Sequence, residues 1–219
     1  MFWRYSMTNT QKTLGILGAG KLGTVIAQLA LKVGYTVYIA GSGSPEKIRL
    51  SVNVLTPGAT PVTVDEAIRR SDIVILALPL SKYKNLPVEL LKNKLVIDAM
   101  NYWWEVDGSM PDLDLAPSSS EMVQKYLSGS RIVKAFSHIG YHQLLDDSRA
   151  IGASDRRAIA IAGNHMEDTK LVANIINDLG FDPVIIGNLS QGKKLEPGNP
   201  LFGASVNAAT IRRLLKQTI

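Results

Sequence analysis

The chain contains no cysteine in its 219 residues. That absence removes disulfides, thiol nucleophiles and cysteine-based zinc sites together, and it is the usage expected of a cytoplasmic protein. Histidine is scarce too, at three residues. His138 and His142 are four apart, but Gly140 interrupts them and no third ligand has a suitable spacing, so no metal site is expected. No apolar run approaches the roughly 20 residues of a membrane span, so no membrane partner is expected either. Met1–Met7 lack the apolar core and small-residue cleavage site of a secretory signal. Residues 1–12 are expected to form a loose extension, with Met7 a candidate start. The net charge of +5 is modest, and its basic residues are scattered rather than banded with aromatics, so no nucleic-acid partner is expected. Arg212, Arg213 and Lys216 read as the solvated face of a C-terminal helix. There are no internal repeats and no low-complexity tract.

Glycine, by contrast, is placed with purpose. Leu14–Gly23 reads LGILGAGKLG, so Gly18, Gly20 and Gly23 stand as G-x-G-x-x-G between a short apolar strand and a helix. Leu22, Val25, Ile26, Leu29, Ala30 and Val33 then recur at helical spacing, Gly34 stops the helix, and Tyr35–Ala40 starts a second strand. In this β-turn-helix-β context each glycine has a task. Gly18 permits the tight turn, Gly20 lets a phosphate approach the backbone, and Gly23 lets helix and strand pack closely. Lys21 and Leu22 complete the loop, whose helix N-terminus offers free N–H donors and a partial positive charge to an anion. The pattern indicates a dinucleotide pyrophosphate.

The end of the second strand distinguishes the dinucleotides. An NAD site normally places a carboxylate there for the ribose 2′-hydroxyl. Here Gly41, Ser42, Gly43 and Ser44 follow instead, and then Lys47 and Arg49. Hydroxyls, backbone donors and a cation suit a 2′-phosphate, so NADP(H) is the expected cofactor. Glu46 follows Pro45 and reads as a helix-start residue, the alternative being a ribose contact; Ser44 is equally a candidate helix N-cap.

Strands and helices alternate through the rest of the chain. Thr63 and Glu66 form a capping box, and residues 72–79 read as a strand buried on both faces that Pro79 ends. Leu95–Ala99 and Arg131–Phe136 are further buried strands, with a second capping box at Ser118 and Glu121. Residues 105–117 read as loop, and residues 137–156 carry no clear periodicity. A strand at 158–162, a helix at 166–179, a strand at 183–186, a Gly/Pro-rich loop at 192–203 and a final helix follow. The expected fold is α/β, a Rossmann-type, doubly wound, mainly parallel sheet with a small C-terminal α/β portion. Residues 13–136 are read as the dinucleotide-binding domain and residues 137–219 as a smaller portion for acceptor binding and dimerisation.

Three further blocks carry a family resemblance. Arg131–Ser137 (RIVKAFS) resembles an R-V-V-K-A-F-N block. Gly163-Asn164 with Leu179–Val184 (LGFDPV) resembles a G-D-D … L-G-F-D-P-V block, and Gly187–Ser190 with Leu195-Glu196-Pro197 resembles a closing G-x-L … L-E-P block. With the glycine loop, these are similar to the NADPH-dependent coenzyme F420 reductases and their relatives, which include the cytosolic oxidoreductase domains of membrane ferric reductases. The resemblance spans about residues 13–200. It implies a homodimeric NADP(H)-dependent oxidoreductase that passes a hydride to a small-molecule acceptor of deazaflavin or flavin type: F420, FMN or FAD. A redox-sensing module that holds NADP(H) without turnover is the alternative. The family carries Arg after the serine matching Ser42; Gly43 stands there, which leaves Lys47 or Arg49 for the 2′-phosphate. The family's Asn after A-F is Ser137.

Ligands of doubly wound sheets lie beyond the carboxyl ends of the strands. That rule sets Leu78 and Pro79 along the cofactor ribose, and Asn101 and Ala135 beside the nicotinamide. Phe136, Ser137, His138 and Trp103 are expected to meet the acceptor. His138 is a tentative proton donor, although hydride transfer between stacked rings needs no acid or base. Tyr102, Trp103 and Trp104 offer a flat face to an acceptor ring, or else pack in a core or dimer interface.

Overall fold

A computed structural model describes residues 12–114 and 116–217. The expected extension over 1–12 lies outside the described residues, Lys12 apart. The chain runs β1 (Thr13–Leu17), α1 (Lys21–Lys32), β2 (Thr36–Ala40), α2 (Glu46–Leu55), β3 (Thr60–Pro61), α3 (Val64–Arg70) and β4 (Ile73–Leu76). A 3-10 turn over Leu80–Asn85 leads to α4 (Val88–Leu91), β5 (Leu95–Asp98), α5 (Trp104–Asp107), α6 (Pro111–Asp114), α7 (Ser119–Tyr126) and β6 (Arg131–Lys134). Then come α8 (Tyr141–Asp146), β7 (Ala158–Gly163), α9 (Met166–Asp178), β8 (Asp182–Gly187), a 3-10 turn over Leu189–Leu195 and α10 (Ala208–Gln217).

One sheet holds all of these strands, in the order β3-β2-β1-β4-β5-β6-β7-β8. Every neighbouring pair is parallel except β6 and β7. The chain leaves β1 toward β2 and β3, then returns to β4 on the other side. The strand order reverses between β1 and β4, and a crevice opens at such a switch point. The C-terminal portion adds β7 and β8 to this sheet. The expected α/β, Rossmann-type, mainly parallel architecture is the one observed. Pro61 lies in the edge strand β3, where a missing N–H costs least.

The strands are apolar throughout because helices cover both faces. Ile16, Ile26, Val37, Ile75, Ile97 and Ile159 belong to one buried layer, beneath α1, α2, α8 and α9. Leu17, Ile68, Val74, Leu76, Val96 and Val123 form the layer beneath α3, α4 and α7. A smaller cluster, with Ala158, Val184, Leu195 and Ile211, seats α10. Each such side chain contributes roughly 1.5–3 kcal/mol.

The Thr63–Glu66 capping box stands where the sequence placed it, whereas at Ser118 only the N-cap half of the expected box forms. The Thr63 hydroxyl accepts from the Glu66 N–H, and the Glu66 carboxylate accepts from the Thr63 N–H at 3.1 Å. Ser118 accepts from the Glu121 N–H at 3.2 Å. Two segments differ from expectation. Residues 105–117 hold α5 and α6, of four residues each, and residues 137–156 hold α8, of six. Helices this short complete too few turns to show a period. Among the described residues, no helix is long and apolar enough to cross a membrane.

Candidate functional site

The glycine loop turns from β1 into α1 over the switch point. Gly18 has φ +123°, and a Cβ there would lie 2.1 Å from the Ala77 carbonyl oxygen. A Cβ on Gly23 would lie 1.9 Å from the Gly18 carbonyl oxygen. Both positions need glycine for reasons internal to the fold. Gly20 differs. Its φ of −84° is ordinary, and a Cβ there would meet no atom of the chain within 4 Å. No steric contact within the described chain requires a glycine at position 20. It is also the N-cap of the twelve-residue α1, offers no side-chain cap, and is followed by no acid in the first turn. The N–H groups of Lys21, Leu22 and Gly23 therefore begin an uncapped helix that faces an open space.

That space is a cleft of about 600 Å³, within the range of small-molecule sites. Gly18–Gly20 form one wall, Gly41 and Ser42 another, and Leu78 and Pro79 a third. Val64, Lys82 and Asn85 also line it, and the sequence alone did not single them out. The start of α3 and the turn after β4 bring them there, a proximity that only the sheet order reveals.

At the end of β2 the loop resolves which cation is nearest. Gly43 has φ +97°, and the Lys47 ammonium lies 3.4 Å from the point where a Gly43 Cβ would stand. Lys47 thus folds back beside Gly43, in van der Waals contact with the place of its absent Cβ. Arg49 instead pairs with Glu46 at 3.1 Å. The Glu46 carboxyl is held below the usual carboxylate range by its own backbone N–H, then by the Ser44 hydroxyl and the Arg49 charge. This fits the helix-start reading of Glu46. The Ser44 side chain serves Glu46 rather than capping the helix, whose N-cap is Pro45.

The ends of β5 and β6 form the neighbouring region. Strand spacing of about 4.8 Å puts them on the order of 10–15 Å from the glycine loop, within reach of an extended dinucleotide. The Asn101 Nδ2 donates to the Ser137 carbonyl. Ala135 and Phe136 are fully buried, and Ser137 and His138 are 4% and 1% exposed. Phe136 sits in the left-handed region at φ +65°, which turns its ring into the core layer beneath α1 and α9. Phe136 and His138 therefore do not present side chains to an acceptor, a correction to the expectation. Trp103 is 48% exposed, and its ring meets Phe202 edge-on at 5.5 Å. Asp107 accepts from the N–H groups of both Trp103 and Ser81 at 2.8 Å, which ties this aromatic edge to the turn after β4.

His138 also loses its tentative role as a proton donor. Its Nε2 accepts the Ala160 N–H at 2.9 Å, which requires the neutral ring. Burial pushes its pKa down from 6.5 to about 4. The sign of the linkage follows. Between these values the unfolded chain binds the proton and the folded chain does not, so stability is full above pH 6.5 and falls as pH drops toward 4. The loss amounts to about 3 kcal/mol. Thermal melts across this range are expected to steepen on the acid side, and His138→Gln, which can still accept from Ala160, should flatten that limb. An unchanged limb would remove His138 as its cause.

Another buried polar group went unnoticed although it had a signal, a lysine inside an apolar strand. Lys134 and Asp98 are both fully buried and lie 3.3 Å apart. Glu196 of the L-E-P block is nearly buried as well, and accepts from the Ser119 N–H at 2.6 Å, which caps α7. Among the described residues no cluster of three His, Asp or Glu could hold a metal.

Comparison with known proteins bears on the family and the fold. Residues 13–102 match the family described as NADP oxidoreductase, coenzyme F420-dependent. The F420-dependent NADP reductase of Methanocaldococcus jannaschii is 32% identical over 145 residues, 63% of this chain and 63% of that protein. Metalloreductase STEAP2 of Mus musculus is 27% identical over 190 residues, 85% of this chain. The chain spans only 35% of the STEAP2 length. Among solved structures, the hypothetical protein SMa0349 of Sinorhizobium meliloti superposes with a TM-score of 0.79 at 27% identity, covering 91% of this chain and 97% of that one.

Proposed function

Since the chain belongs, through residues 13–102, to the coenzyme F420-dependent NADP oxidoreductases, we propose that it binds NADPH across the β1–β4 switch point and reduces a small, planar acceptor of deazaflavin or flavin type. The observation that carries this reading is the open space over Gly20, at an uncapped helix start, in a cleft that Ser42 also lines. The first-turn N–H groups of Lys21, Leu22 and Gly23 bind the pyrophosphate. Ser42, the Gly43 backbone, Ser44 and Lys47 receive the 2′-phosphate. Leu78 and Pro79 lie along the ribose, and Asn101 and the Ala135 backbone border the nicotinamide. NADPH supplies the hydride when bound.

Direct transfer between stacked rings asks the protein for position and exclusion of water. Trp103, exposed at the end of β5 and braced by Phe202, provides the face for the acceptor: F420, FMN or FAD. With His138 neutral and sealed, the proton that accompanies the hydride comes from solvent. The resemblance further implies a cytoplasmic homodimer.

The test is turnover. Purified protein is mixed with NADPH and, separately, F420, FMN, FAD, a ferric chelate and a quinone, and NADPH absorbance is followed. Oxidation with a planar heterocycle is the expected result. NADPH binding without oxidation by any of them would replace this reading with an NADP(H)-holding sensor. Equal use of NADH would refute the cofactor preference.

A further inference from the structure

The carboxyl ends of β5 and β6 hold a device that cofactor binding as described does not use. Lys134 and Asp98 are buried completely. Removing two charges from water is expensive, and an apolar pair of the same volume often stabilises a fold as well or better. What the ion pair provides and an apolar pair lacks is direction. The Lys134 ammonium donates to the Met100 carbonyl, and the Asp98 carboxylate accepts the Met100 N–H at 2.9 Å. Both backbone polar groups of Met100 are thereby fixed. The Ser120 hydroxyl, in the first turn of α7, donates to the same carboxylate at 2.6 Å. Gly192 closes over the lysine stem, where a Cβ would stand 3.4 Å from Lys134 Cγ.

Met100 leads directly to Asn101, and Asn101 donates to the carbonyl of Ser137, one residue after the left-handed Phe136. The chain of contacts therefore runs from the buried pair, through Met100, to the Asn101–Ser137 clasp that joins the ends of β5 and β6. We propose that Lys134 and Asp98 are positioning residues for the nicotinamide half of the cofactor, holding that clasp in register with the glycine loop. The proposal rests on the NADPH reading above. It assigns the lysine of the V-K-A-F block a task in the reaction rather than in folding alone.

The test separates the two halves of the cofactor. Affinities for 2′,5′-ADP and for NADPH are measured by titration on the full chain, together with the nicotinamide fluorescence of bound NADPH and the melting temperature. The variant Lys134→Met/Asp98→Asn removes the ammonium and leaves no buried charge behind. The expected result is 2′,5′-ADP affinity within about twofold of wild type, NADPH affinity about tenfold weaker, and loss of the fluorescence enhancement on binding. Ser120→Ala should move the same readouts in the same direction by about threefold, and it decides the matter if the double variant does not fold. Unchanged NADPH affinity and fluorescence would overturn the proposal. So would equal weakening of both ligands, which is what a merely structural role gives. A wild-type protein that binds neither ligand would instead refute the NADPH reading itself.

Discussion

Gly20→Ala is expected to weaken NADPH binding at least 100-fold while shifting the melting temperature by no more than about 2 °C, whereas Gly18→Ala should damage the fold itself. The two glycines are two residues apart in one motif. At Gly20 the backbone is in an ordinary extended conformation and a Cβ meets no atom of the chain within 4 Å. Alanine is a slightly poorer N-cap than glycine but restricts the unfolded chain, and these effects nearly cancel. The added methyl stands where a pyrophosphate must approach the helix N–H groups to about 2.9 Å, so the whole cost falls on the ligand. At Gly18 the φ of +123° and the 2.1 Å approach to the Ala77 carbonyl make any side chain incompatible with the β1–β4 contact. That variant should lose well over 3 kcal/mol, a shift on the order of 10 °C, before binding can be asked about. Melting curves and NADPH fluorescence titrations on the same samples check both. A Gly20→Ala protein that binds NADPH like the wild type would remove the loop from the binding site, and with it the proposed function.

This contrast also marks what could be read from sequence. The glycine loop, the capping box at Thr63, the N-cap at Ser118 and the acid-free end of β2 are local features whose physical reasons lie within a few residues. Each could be stated before the fold was known. The block after β6 was harder. Its place at a strand end marked Phe136, Ser137 and His138 as ligand contacts, but the left-handed backbone at Phe136 turns the ring inward, and the His138 carbonyl accepts the Gly203 N–H at 2.7 Å. A reversal of one residue's φ has no sequence period. Lys134 was visible as a charge inside an apolar strand, yet its partner Asp98 lies 36 residues away and only the β5–β6 register joins them. Lys82 and Val64 enter the cleft for the same reason: distant segments become neighbours only when the strand order is known. The proposal of Lys47 rather than Arg49 for the 2′-phosphate rests on a rotamer, with the Lys47 ammonium beside Gly43 and Arg49 paired with Glu46.

That rotamer carries the last expectation. Lys47→Ala should weaken NADPH binding by roughly 10- to 100-fold, as expected for loss of a charge-assisted contact worth about 1.5–3 kcal/mol, and leave NADH binding unchanged within a factor of two. The reason is geometric. Where the resemblance implies an Arg, Gly43 stands, and the Lys47 ammonium lies 3.4 Å from the place its Cβ would take. Arg49 is turned instead toward the exposed Glu46 carboxylate one helical turn away. Ser42→Asp should act from the other side, placing a carboxylate where a 2′-phosphate is repelled and a 2′-hydroxyl can donate, so preference moves toward NADH. The salt dependence separates charge from shape. NADPH affinity of the wild type should fall more steeply with ionic strength than that of Lys47→Ala, because the lost interaction is the screened one. If Lys47→Ala binds NADPH and NADH in the wild-type ratio at low salt, the 2′-phosphate is held elsewhere, and Lys82 on the opposite wall of the cleft becomes the cation to remove next.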